Sequence, residues 1–190
     1  MTSIGHSIVG ASFGVAALPV SASRRYKILN LCAFVLLANF PDIPFPNWSH
    51  EFYDFSHSLP VNLALIGLLA AGVIGVSRVV DIPGRGRLIF LIACAWLSHI
   101  LLDTLYSHGL GVAVFWPISP ARVAIPIPWF SVLPMHPAEN VVKILKIFTL
   151  EILSYGPLLV LSIRLQRLKK TRDWNAPAPI PVPVRDQTRG

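Results

Sequence analysis

The sequence predicts an all-α, polytopic membrane protein of about five transmembrane or membrane-embedded helices with an apolar, Pro-rich outer loop. Three observations lead there. Of the 190 residues 54% are hydrophobic and 13% charged, and a mean hydropathy of +0.62 lies far from the soluble norm. The apolar residues gather in five stretches, 4–20, 28–40, 59–77, 88–106 and 144–163. The basic residues sit in alternate connections between them.

The first stretch opens with His6 and carries Gly5, Gly10 and Gly14, small residues that let a neighbouring helix approach closely. Val20-Ser21-Ala22 resembles a signal cleavage site. No Lys or Arg precedes Arg24, however, so the basic n-region of a secretory signal is lacking and the segment is expected to stay on the chain. The second stretch stops at Phe40-Pro41-Asp42-Ile43-Pro44, because proline cannot continue a helix. Asp42 is left at the helix mouth, where an Asp beside Pro also serves as an ordinary turn residue. Residues 45–58 mix His50, Glu51, Asp54 and His57 with Trp48, Phe52, Tyr53 and Phe55, aromatics suited to a membrane interface. Ser56 or Ser58 can cap the third stretch, which holds no ionisable residue and reads as structural.

Asp81-Ile82-Pro83-Gly84-Arg85-Gly86-Arg87 is a turn-rich connection into the fourth stretch. The third and fourth stretches are each long enough for a hydrocarbon core of about 30 Å. The first two are short and call for tilt or for shielding by neighbours. Beyond Gly109, Pro117, Pro120, Pro126, Pro128 and Pro134 interrupt an apolar segment that includes Trp116 and Trp129. That segment is expected to lie in the outer interface, folded over the helix ends. The fifth stretch contains Glu151, about one turn below the surface if the span begins near Ile147. Residues 1–172 thus form a helical membrane domain, and 173–190 a disordered, Pro-rich cytoplasmic tail.

Arg24, Arg25 and Lys27 follow the first stretch, Arg78, Arg85 and Arg87 the third, and Arg164, Arg167, Lys169, Lys170 and Arg172 the fifth. Cytoplasmic loops carry Lys and Arg, which puts these connections inside and the N-terminus and residues 41–58 and 107–138 outside. The expected location is the cell inner membrane, with the C-terminus cytoplasmic. Topology accounts for the net charge of +7, so the bilayer is the partner and no nucleic acid is called for. Lys143 and Lys146 fit the outer interface. Cys32 and Cys94 fall in apolar stretches and read as packing residues.

His99 and Asp103, four apart in the fourth stretch, share one helix face at roughly 6 Å. Ionisable groups in an apolar helix cost about 2.5–3.5 kcal/mol each, so their default reading is functional. A metal ion is the partner this pair suggests; a buried His–Asp hydrogen bond tying two helices is the simpler alternative. The predicted topology brings His6, Asp42, His57, His99, Asp103 and Glu151 to the outer side. Mixed imidazole and carboxylate donors suit zinc, manganese or iron(II), and their number would allow two ions.

The ordered set of short motifs resembles the membrane-bound metal-dependent hydrolases of the YdjM type. They are Gly5-His6-Ser7, Phe40-Pro41-Asp42-Ile43, Ser56-His57-Ser58-Leu59, His99-Ile100-Leu101-Leu102-Asp103-Thr104-Leu105, Gly109 and Trp116-Pro117-Ile118-Ser119, within residues 5 to about 157. The resemblance implies metal ligands at His6, Asp42, His57, His99 and Asp103, with Glu151 matching a glutamate of the last helix. Pro44 stands where the family usually has a second carboxylate, and the Arg-Gly that commonly precedes Thr-His-Ser is absent from Tyr53-Asp54-Phe55. Glu51, Asp54 or Glu139 could substitute for the missing carboxylate.

The expected activity is therefore a hydrolase at the outer membrane face, using water activated by a divalent metal. Zinc comes first, with manganese or iron as alternatives. Asp103 and Glu151 are the expected catalytic carboxylates, Glu151 also a candidate ligand. The expected substrate is an ester or phosphoester of a lipid or another envelope small molecule. An ion transporter is one rival, and it would need ionisable groups toward both membrane faces, whereas the inner halves of these spans hold none. A noncatalytic membrane scaffold is the other.

Overall fold

Short polar residues start the helices. Thr2 caps α1 (Ser3–Ala17), its hydroxyl accepting the Ile4 N–H, and Ser23 caps α2 (Arg24–Asn39) through the Tyr26 N–H. Pro41 turns the end of α2 into a single 3₁₀ turn, Phe40–Asp42. After α3 (His50–Ser56), Ser58 rather than Ser56 caps α4 (Leu59–Val76) through the Val61 N–H. Gly84, at φ +68°, takes the left-handed turn that admits α5 (Arg85–Thr104). The last helix, α6, runs 34 residues from Val141 to Trp174. In this computed structural model the described residues are 2–43, 50–82, 84–106, 111–125, 127–131 and 140–174, with backbone alone for 50–52 and 172–174.

All elements among the described residues are helical, apart from an isolated bridge between Val112 and Val123. Three helices, α4, α5 and α6, are long and apolar enough to cross a membrane. The other two expected stretches form shorter helices: α1 has 15 residues, and α2 has 16 and opens with Arg24, Arg25 and Lys27. At 1.5 Å per residue, α1 alone covers only about 22 Å of a core about 30 Å thick. It sits among α2, α5 and α6 instead, with His6, Val9, Gly10, Ser12, Gly14 and Val15 buried. Arg87 and Gln166 donate to the carbonyls of Ala16 and Leu18 at its far end, at 2.7 and 2.9 Å. α6 continues through Trp174, taking in the first two residues of the expected tail; residues 175–190 lie outside the described set.

The segment after α5 folds back over the helix ends, as its prolines and tryptophans suggest. Ile125 and Ile127 donate to the carbonyls of Thr104 and Leu105, while Leu59 donates to Val114 and the Ser58 hydroxyl to the Trp116 carbonyl. Gly111 adopts φ +74°, and a Cβ there would stand 2.7 Å from the Val123 carbonyl oxygen. Only glycine fits that crossing without strain.

The glycines of α1 do what small residues do in membrane bundles. A Cβ on Gly10 would lie 2.6 Å from the Phe34 carbonyl oxygen and 2.7 Å from the Ala38 Cβ. Gly10→Ala must therefore push α2 away, an overpacking effect of about 1–3 kcal/mol. The expected result is a lower melting temperature in detergent together with weaker ion binding, since the Ala38 carbonyl supports the site described next. A melting temperature equal to the parent's would show that α2 yields freely.

Candidate metal centre

Helix directions alternate along the chain, so the start of α1, the end of α2, the start of α4, the end of α5 and the first half of α6 share one end of the bundle. On α5 the four-residue spacing sets His99 and Asp103 side by side, with Nε2 and Oδ2 at 3.5 Å. Asp42 arrives on the 3₁₀ turn after α2, and His57 on the short link between α3 and α4. His57 Nε2 lies 3.2 Å from Asp103 Oδ2, 3.3 Å from Asp42 Oδ1 and 3.2 Å from His99 Nε2, and His99 Nε2 lies 3.6 Å from Asp42 Oδ1. The four ligand atoms all lie within 4.8 Å of one another.

The outer nitrogens of both rings are held by main-chain carbonyls. His99 Nδ1 donates to Ala38 O at 2.8 Å, and His57 Nδ1 to Tyr53 O at 3.0 Å, with the Ser56 hydroxyl, which itself donates to Tyr53 O, 2.9 Å from the same nitrogen. Because a carbonyl only accepts, each neutral ring carries its proton on Nδ1 and turns the Nε2 lone pair inward. Two such lone pairs at 3.2 Å, facing two carboxylates, repel unless a cation stands among them. This is the outer support that metal-ligating histidines ordinarily have. An ion bonded at about 2.0–2.1 Å to tetrahedral ligands separates those ligands by roughly 3.3–3.4 Å, close to the spacings here. Asp42, His57, His99 and Asp103 form a group that could hold a metal ion.

His57 and His99 are fully buried and Asp103 is 3% exposed, whereas Asp42 is 34% exposed, so the group opens at Asp42. Burial alone would raise the Asp42 carboxyl, but hydrogen bonds from His57 and His99 outweigh it and hold the pKa below the usual carboxylate range. Burial alone would lower His57, and its contacts with Asp103 and Asp42 outweigh that and raise it above 6.5. Tyr53 stacks on the His57 ring, centroids 3.9 Å apart, and closes that side.

His6 and Glu151 reach the same end of the bundle but are not among the four converging ligands. His6 Nε2 lies 3.2 Å from Asp103 Oδ1, whereas His57 and His99 approach Oδ2, and its ring stacks on His99 at 3.8 Å. The Glu151 carboxylate accepts from Thr2 N at 2.9 Å, from Gly5 N at 3.1 Å and from the Thr2 hydroxyl. Asp54, a candidate replacement carboxylate, pairs with Arg122 at 2.6 Å. The Glu51 side chain and Glu139 lie outside the described residues, as do His108 and His136.

Several supporting residues escaped the sequence reading. The Ala38 and Tyr53 carbonyls have no sequence signature, since every residue carries one. Asn62 did have one, a lone amide in an otherwise apolar stretch. It is buried, donates to the carbonyls of Ser56 and Ser58 at 2.7 Å each, and accepts the Trp96 indole N–H at 2.6 Å.

Among known proteins, residues 1–167 match the model of a family described as YdjM inner membrane protein. No curated protein and no solved structure matches the chain.

Proposed function

The chain belongs to the YdjM inner membrane protein family, and from that membership and the buried imidazole–carboxylate group we propose that it is a membrane-bound metal-dependent hydrolase. The observation that carries this reading is the 3.2 Å approach of the His57 and His99 Nε2 atoms, each with its Nδ1–H committed to a carbonyl. Asp42, His57, His99 and Asp103 would hold the ion. Zinc suits the mixed nitrogen and oxygen donors and the near-tetrahedral spacing, and manganese and iron(II) accept the same donors. When bound, such an ion supplies Lewis acidity and lowers the pKa of a coordinated water toward 7. His57 and His99 would hold the ion through Nε2, their rings oriented by the hydrogen bonds to Tyr53 O and Ala38 O. Asp42, the partly exposed ligand, marks the side from which water and substrate enter.

The substrate we propose is an ester or phosphoester of a lipid or another envelope molecule, because the group opens where the apolar helices end. Purified full-length protein in detergent should contain about one ion per chain by elemental analysis, and should cleave phosphoester or carboxyl-ester lipids. A chelator should stop that cleavage and added zinc or manganese restore it. Cleavage that persists in metal-free protein would overturn the reading.

The orientation is part of the proposal. Arg24, Arg25, Lys27, Arg85 and Arg87 start α2 and α5 at the end opposite the metal group, which by the positive-inside rule is the cytoplasmic one. A cysteine placed at Trp48 should react with an impermeant reagent from outside, and a reporter fused after Arg172 should be cytoplasmic. The opposite labelling would turn the site inward.

A further inference from the structure

The sequence places His6 and Glu151 among the metal ligands. We infer that they instead form a positioning relay behind the ion: Glu151 holds the first turn of α1, and α1 presents His6 to the far oxygen of Asp103. The inference rests on the metal reading above and assigns these two residues within it.

The tautomers separate His6 from the ligating histidines. His57 and His99 donate Nδ1–H to carbonyls and keep Nε2 for the ion. His6 Nδ1 is buried without a hydrogen-bond partner among the described residues. If His6 ligated through Nε2, its Nδ1–H would be an orphaned buried donor, which is costly. With the proton on Nε2 the ring donates to Asp103 Oδ1, at 3.2 Å, and only a lone pair is left unmatched. That hydrogen bond, with the stacking on His99 at 3.8 Å, orients one carboxylate and one imidazole of the ligand set at once. Among the described residues, the His, Cys, Asp and Glu side chains that converge as a group able to hold an ion are Asp42, His57, His99 and Asp103, without His6.

Glu151 acts one step further out. The first N–H groups of a helix have no partner within it, and a carboxylate on them gains from both hydrogen bonding and the helix dipole. Glu151, fully buried on α6, accepts the N–H groups of Thr2 and Gly5, and Gly5 immediately precedes His6. The His6 N–H in turn donates to the Thr2 carbonyl at 3.4 Å. The place of His6 against Asp103 therefore depends on a residue of α6 that is not among the four converging ligands.

The test is ion stoichiometry and affinity of full-length protein in detergent, with zinc and with cobalt(II) as a spectroscopic probe. His6→Ala and Glu151→Gln should each keep one ion per chain and the four-coordinate cobalt spectrum, while affinity falls about 10–100-fold, the usual effect of removing an outer-shell contact. His6→Gln, whose amide can still donate to Asp103, should recover part of the loss. Because Glu151 works through His6, adding Glu151→Gln to His6→Ala should change the affinity less than threefold further. Several results overturn the inference: loss of the ion or of the cobalt spectrum in either single variant, an affinity equal to the parent's, two ions per chain in the parent, or fully multiplicative losses in the double variant. A parent chain that binds no ion overturns the metal reading and this inference together, whereas failure confined to the His6 and Glu151 variants leaves the metal reading standing.

Discussion

His99→Ala and Asp103→Ala are each expected to abolish ion binding, and with it the proposed hydrolysis, while leaving the helices inserted. Each removes one of the four converging donors. The loss should exceed the roughly 10–100-fold that outer-shell changes produce. Folding should suffer little from His99→Ala, because the substitution also removes an ionisable group from an apolar helix, a group whose insertion costs about 2.5–3.5 kcal/mol. Elemental analysis, a hydrolysis assay, and chromatographic monodispersity with a thermal melt of the same preparation check the three parts in turn. His108→Ala, a change in a residue outside the described set that the sequence reads as a loop histidine, should keep its metal. An ion content in His99→Ala equal to the parent's would dissolve the site and leave the scaffold reading.

Asn62→Leu is expected to have the largest effect on stability. Leu keeps the branched skeleton of Asn, with two bulkier methyls in place of the amide, and makes none of its hydrogen bonds. The substitution leaves the Trp96 indole N–H without its acceptor and the Ser56 carbonyl without the amide donor, each at about 1–3 kcal/mol when buried. Ser58 O keeps the backbone N–H of residue 62 at 3.0 Å, so its share is smaller. The same amide closes the turn that delivers His57, so ion affinity should fall with the melting temperature. A variant that melts within about 2 °C of the parent would show that water or a rearranged turn replaces the amide. Asn62→Gln, longer by one methylene, should not rescue, because all its partners are fixed main-chain or ring atoms.

The sequence by itself determined what depends on local geometry. Apolar stretches made the chain a helical membrane protein; the i, i+4 spacing put His99 and Asp103 on one face; prolines stopped α2 beside Asp42; and Gly10 and Gly14 marked the helix crossing, where Phe34 and Ala38 are in fact found. Alternation of helix directions was enough to bring the polar residues to one end.

Only the tertiary structure decided how those residues divide the work. His99 is held by a carbonyl 61 positions earlier and Glu151 by a backbone N–H 149 positions away, contacts that depend on how α1, α2, α5 and α6 cross. A carbonyl or N–H belongs to nearly every residue, so no pattern of side chains announces which one will meet a ring nitrogen or a carboxylate. The same is true of the spans: the sequence showed that α1 is short for a bilayer core, and only the structure showed that it packs against α2, α5 and α6.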